Sequence, residues 1–168
     1  ETPDAEASKS WGSACNRIAS WIVVARHGAD NVKTLLLSTH FDHVSNLSRS
    51  QSSKLVVQKV SDLSKWFNCS SAVVMGDFNT TPQLEPECGK PFVSSPLRDA
   101  FAEAPDKCKE IGTFHNFTGK PELGIGRIDW IWIAGFAKPK AAGIYTQKKG
   151  KFYASDHFPV FCDLVLWE

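Results

Sequence analysis

Hydrophobic and polar positions along the chain alternate between two periods, and the places where they change mark the elements. Trp21 to Arg26 and Lys33 to Thr39 are rich in apolar and β-branched residues. Gly28-Ala29-Asp30-Asn31 between them has turn composition, so the pair reads as a hairpin. From Gln51 to Phe67 the apolar residues Val56, Val60, Leu63 and Phe67 recur at helical spacing, with Lys54, Lys59 and Lys65 on the opposite side. This is one buried face of a helix, with caps available in Ser48-Arg49-Ser50. Ala72 to Met75 is a short continuous apolar run, as expected for a strand covered on both faces. Pro82 to Pro96 reads as a loop. A short helix follows Pro96 on the spacing of Leu97, Ala100 and Phe101. Arg127 to Ile133 alternates, placing Ile128, Trp130 and Trp132 on one side and Asp129, Ile131 and Ile133 on the other. Phe158 to Trp167 alternates again. The sum is an α/β (α+β) layered domain with mostly antiparallel strands.

Composition narrows the function only a little. At 168 residues, 42% hydrophobic and 22% charged, the chain suits one globular domain. A net charge of +1 gives no broad field of the kind that draws long duplex DNA, though a local basic cleft stays open. No apolar run reaches the roughly 18 residues of a membrane span. The cysteines Cys15, Cys69, Cys88, Cys108 and Cys162 form no CxxC pair, which argues against zinc, and their odd count leaves at least one without a partner in the chain. Sequons begin at Asn46, Asn68, Asn79 and Asn116. They do not separate a secreted from a cytoplasmic protein.

Four polar segments interrupt the apolar framework at strand ends. They are Thr39-His40-Phe41-Asp42-His43, Gly76-Asp77-Phe78-Asn79, Asp129 within Arg127-Ile128-Asp129-Trp130-Ile131, and Ser155-Asp156-His157-Phe158-Pro159. Each alone reads as readily as a turn or a surface loop. Together they gather carboxylates, an amide and histidines, which suits phosphate-ester hydrolysis. Carboxylate and amide oxygens are the ligands that Mg²⁺ prefers. A histidine serves near the attacking water, and a carboxylate behind it fixes its tautomer.

In that order the four segments resemble the signatures of the endonuclease/exonuclease/phosphatase superfamily, whose members include deoxyribonuclease I, apurinic endonucleases and inositol polyphosphate 5-phosphatases. The opening stretch, Glu1-Thr2-Pro3 with Ser10-Trp11-Gly12 and Arg17, resembles the middle of small members. The resemblance implies a four-layer αββα sandwich of the deoxyribonuclease I-like type. It also implies Mg²⁺-dependent hydrolysis of phosphate esters by in-line attack of water, with Mn²⁺ able to substitute. By position, His40 resembles the histidine on the scissile phosphate. Asp77 resembles the residue that orients the attacking water or holds a second metal, and Asn79 its partner. Asp129 resembles the carboxylate behind the final histidine, His157 the general base or transition-state stabiliser, and Asp156 a ligand on the Mg²⁺ side. Arg17 and His115 are candidate substrate contacts. The substrate class stays open among phosphorylated small molecules, nucleotides and nucleic acids.

The family's first part carries a Glu-bearing strand whose carboxylate is the principal Mg²⁺ ligand. Only Glu1 and Glu6 precede Trp21 here, in a polar stretch. The expectation is therefore a single domain over 1–168 that forms the C-terminal two-thirds of the family's, without its N-terminal strands. A separate N-terminal segment would be a partner. A truncated homologue that binds a phosphorylated ligand without turnover is the alternative.

Overall fold

A computed structural model of the chain describes residues 6–166. Glu1, Thr2 and Pro3, which contribute to the family resemblance, and Trp167 lie outside them. The order is β1 (Ala19–Arg26), β2 (Ala29–His40), α1 (Asn46–Phe67), β3 (Ser71–Asp77), α2 (Pro86–Val93), β4 (Arg98–Asp99), α3 (Ala100–Glu103), β5 (Asp106–Lys107), β6 (Asp129–Gly135), β7 (Lys138–Ile144) and β8 (Val160–Val165).

Two sheets result. The larger runs β1-β2-β3-β6-β4 and the smaller β5-β7-β8. β2 and β3 are parallel, with α1 as the crossover between them. β5 and β7 are also parallel, and the remaining pairs are antiparallel. Strand alternation divides the larger sheet into two working faces. Leu35, Leu37, Ala72, Val74, Trp130 and Trp132 point to one side and meet Val56 and Val60 of α1 and Phe92 of α2. Val73 and Ile133 point to the other and meet Cys162 and Leu164 of β8. Helices, large sheet and small sheet thus stack as layers, giving a mixed α/β architecture. Among the described residues, no helix is long and apolar enough to cross a membrane.

Several elements differ from the pattern in the sequence. The helix α1 starts at Asn46, five residues before the stretch from Gln51 read as helical, because the Ser45 side chain accepts the Ser48 amide and caps it. Its early turns bury Ser48, Arg49 and Ser53 instead of apolar residues. The stretch read as a loop contains α2, which opens with a proline at N1 and buries Cys88 and Phe92. β7 falls where no alternation was legible. The turn before β2 is tighter than Gly28–Asn31, since Gly28 at φ 78° lets the chain reverse and Ala29 already pairs with Arg26.

The tryptophans divide. Trp130 and Trp132 are core residues. Trp66, in the last turn of α1, is 83% exposed. Its neighbour Phe67 takes the inward position in the last turn, against Trp21. A step of about 100° along the helix then turns Trp66 to water. All five cysteines are free thiols.

Candidate active site

The site begins with a row across the larger sheet. His40 ends β2 and pairs with Asp77, which ends β3 and pairs in turn with Asp129, the first residue of β6. Residues opposite one another on neighbouring strands project to the same face. All three therefore point toward the small sheet, with His40 Nε2 3.3 Å from Asp77 Oδ2. The fourth group arrives from the other layer. His157 stands in the loop entering β8, and its Nδ1 lies 2.8 Å from Asp129 Oδ2. Its Nε2 lies 3.7 Å from Asp77 Oδ2.

Each of these four residues is followed by an aromatic ring: Phe41, Phe78, Trp130 and Phe158. All four rings are buried, at 1%, 0%, 2% and 2% exposure. Alternation sends the polar side chain to the cleft and the ring to the core. Phe78 stacks on Trp130 at 4.2 Å and meets Phe41 edge-on at 4.7 Å. Fully burying such a ring contributes about 2 kcal/mol, so the rings that stabilise the strand ends also fix the polar row.

Backbone contacts hold the strand ends in register. The Phe41 amide donates to the Asp77 carbonyl, and the Phe78 amide to that of Ile128. Gly76 is required where β2 and β3 pass. Its φ is 148°, and a Cβ there would lie 1.8 Å from the Thr39 carbonyl oxygen. Thr113, fully buried, presents its Oγ1 to the amides of Ile128 and Asp129 at 3.1 and 3.3 Å. Its carbonyl accepts from the Phe158 amide, so this one residue links β6 to the loop of His157.

The charges are set by one another. Burial, and then the Asp129 carboxylate, raise the Asp77 pKa above the ordinary range. The hydrogen bond that His157 donates to the Asp129 carboxylate raises the His157 pKa. His40 is held below the ordinary histidine value by burial, assisted by Arg17 and His157 against the pull of Asp77. Two carboxylates and two imidazoles thus share one space with unequal basicity, an arrangement typical of acid–base sites.

Asn79 adopts φ 53° and donates its Nδ2 to the Phe41 carbonyl at 2.9 Å, while its amide caps Asp77 Oδ1 at 2.8 Å. That leaves its Oδ1 for an ion or substrate. Among the described residues, Asp77, Asp129 and His157 bring ligand atoms within 4.8 Å of one another. Two crowded carboxylates, one of them reluctant to ionise, and a free amide oxygen fit a hard cation such as Mg²⁺. Asp156 is outside that group. Its Oδ1 accepts from Ser155 Oγ at 3.2 Å, and its charge acts on His157 from beside it.

Arg17 approaches from the opposite flank, 3.5 Å from Asp42 and 2.9 Å from His43 Nδ1, near enough to His40 to depress its pKa. His115 is not at the opening. It is 1% exposed, stacked on Phe158 at 4.0 Å, with Nδ1 accepting the Gly119 amide. A ring so enclosed lies away from the opening, and in Gly112-Thr113-Phe114-His115 the side chain bonded to the Asp129 backbone is that of Thr113.

No family model matches the sequence, and no curated protein matches it. Solved structures do. An endonuclease/exonuclease/phosphatase from Bacteroides vulgatus superposes with a TM-score of 0.85 at 28% identity over 98% of this chain. The chain has the endonuclease/exonuclease/phosphatase fold. A mannosyl-6-phosphatase from Bacteroides thetaiotaomicron follows it with a TM-score of 0.80 at 28% identity, over 94% of the chain. TDP2 from D. rerio, complexed with a single strand DNA product, shares the fold at a TM-score of 0.70 and 16% identity over 92% of the chain. The chain spans 61%, 60% and 64% of these three proteins. The endonuclease/exonuclease/phosphatase fold accounts for the row of His40, Asp77 and Asp129 and for the arrival of His157 from the second sheet.

Proposed function

We propose that the chain carries the histidine–aspartate centre of a Mg²⁺-dependent phosphoesterase that hydrolyses phosphate esters by in-line attack of water. The observation behind this reading is the convergence of three strand ends of the large sheet with the loop entering β8, which sets His157 between Asp129 and Asp77. In this scheme Asp77 orients the attacking water. His157 Nε2 takes its proton, while Asp129 at Nδ1 holds the tautomer and stabilises the imidazolium. His40, together with Arg17, meets the phosphoryl oxygens. Asp77 and Asn79 would hold Mg²⁺ (or Mn²⁺), and the ion would neutralise charge on those oxygens, while Asp156, also a candidate ligand, acts on His157. Asp129 is a positioning residue.

A second reading has its own support. The group that could hold a metal contains no glutamate among the described residues, and the chain spans about 60% of the matched proteins. A phosphate-binding module without turnover would look the same. So would a domain completed by a separate N-terminal segment, for which there is room. Ile22 is 58% exposed on the face that the small sheet covers elsewhere, and among the described residues no strand pairs with the outer edge of β8. Substrates spanning sugar phosphates and DNA are represented among the matched proteins, and both classes remain compatible with this centre.

Turnover of bis(p-nitrophenyl) phosphate by the purified chain tests the proposal. It predicts activity that requires Mg²⁺ and disappears in Asp77→Ala. Activity that survives EDTA would remove the metal, and activity retained in Asp77→Ala would remove the site. Phosphate binding without turnover would favour the second reading.

A further inference from the structure

The candidate site has a rim that its chemistry does not use. β7 and β8 are joined by residues 145–159, and the catalytic loop is only the last part of that connection. Before it stands a hairpin, Tyr145-Thr146-Gln147-Lys148-Lys149-Gly150-Lys151-Phe152-Tyr153, closed by the bridge between Lys149 and Phe152. It holds three lysines and no acid in a chain whose net charge is only +1. Phe152 is 69% exposed, with Lys151 Nζ 5.4 Å from its ring centroid. Lys148 Nζ stands 6.0 Å from the ring of Tyr153.

The base of the hairpin is anchored. Tyr153 packs 4.7 Å from His115 and 5.9 Å from Phe158. It also lies against Gly119, where a Cβ would be 2.0 Å from the tyrosine hydroxyl. That contact brings in a second loop. Asn116 and Phe117 are successive non-glycine residues at φ 46° and 59°. The Thr118 amide and hydroxyl both donate to the His115 carbonyl and hold this turn in place. The result is a phenylalanine 60% exposed to water in a left-handed conformation that costs energy for a bulky residue. The His115 and Asn116 amides donate to the Asp156 carbonyl, so the strained turn is tied directly to the loop of His157.

We propose that these two loops form a subsite for single-stranded nucleic acid beside the phosphate-binding centre. Phe117 and Phe152 stack on bases, and Lys120, Lys148, Lys149 and Lys151 contact flanking phosphates. Exposed rings and ammonium groups on two loops joined through Tyr153 and Gly119 suit a strand that alternates bases and phosphates. A simple sugar phosphate would engage neither ring. The subsite rests on the phosphoesterase reading for what happens to the strand, and on the two loops alone for its binding.

Fluorescence anisotropy of a labelled twelve-residue oligothymidylate, titrated with the purified chain in EDTA, separates the two. The expected result is binding that weakens about tenfold in Phe117→Ala/Phe152→Ala. The Lys148→Ala/Lys149→Ala/Lys151→Ala variant should show a salt dependence shallower by about 2 in log–log slope. Lys54→Ala, on the exposed side of α1, should bind as wild type. These side chains are exposed, so melting temperatures should hold, and Phe152→Ala alone serves as the milder variant. No oligonucleotide binding, binding indifferent to both sets of substitutions, or a preference for phosphatidylserine vesicles would overturn the subsite. Binding that survives while every phosphoesterase assay is silent would remove the hydrolase reading and leave the subsite standing.

Discussion

His157 Nδ1 and Asp129 Oδ2 lie 2.8 Å apart although Asp129 opens β6 of the large sheet and His157 stands in the loop entering β8 of the small one. The contact forms only when the layers are packed in one register, so packing and chemistry are specified together. Asp129→Asn tests its purpose. The carboxylate raises the His157 pKa, so the neutral, proton-accepting imidazole prevails only above that raised value. Without the carboxylate, the imidazole titration followed by NMR should move to lower pH. The rising limb of the pH–rate profile should move with it, and the rate should fall about a hundredfold. An unmoved titration would show that the pair is not coupled.

Asp42 makes a prediction about acid stability. Burial pushes its carboxyl up, but the amides of Ser45, Val44, Cys15 and Ala14 all donate to it and together hold its pKa well below the usual carboxylate range. A depressed folded-state pKa contributes stability that is present above the unfolded value, near 3.9. It is lost as pH falls from there through the folded value. Asp42→Ala should cost about 2 kcal/mol at neutral pH, since four partly buried amides lose the acceptor they share. Denaturant melts should show that difference shrinking below about pH 4. A gap that is unchanged down to pH 2 would contradict this account.

Thr113→Val removes one oxygen and keeps the shape. The Ile128 and Asp129 amides then face a methyl group, at a cost of about 2 kcal/mol. Turnover should fall as well, because Asp129 loses its anchor. Full activity with lowered stability would make Thr113 purely structural.

Gly76→Ala should be more severe than any surface change. Its Cβ would collide with the Thr39 carbonyl in the strand pair that carries His40 and Asp77. A loss above about 3 kcal/mol, or failure to fold, is expected. Thermal unfolding within a degree of wild type would refute the close approach.

Much of this was legible in the sequence because the site lies on strands. A period of two puts His40, Asp77 and Asp129 on one face and Phe41, Phe78 and Trp130 on the other, and both halves of that pattern can be read from residue types. Arg17 near His40 could be placed only as a candidate. What escaped depends on contacts far apart in the chain. The first turns of α1 are polar because Arg49 pairs with Glu85 of the segment that opens α2, and no local period records that. Thr113 carries no chemical signature, and His115 drew attention through its residue type although burial removes it from the cleft. Trp66 and Phe67 pose a related problem, since the end of a helix does not reveal which of two adjacent aromatics turns inward.

The central claim is that His157, held by Asp129 and facing Asp77, moves the proton in phosphate-ester hydrolysis. The kcat of wild type against His157→Ala toward bis(p-nitrophenyl) phosphate, in saturating Mg²⁺ and with matched melting curves, tests it most directly. The account predicts a loss of about a thousandfold and no turnover by either protein in EDTA. Equal rates in the two folded proteins would contradict it.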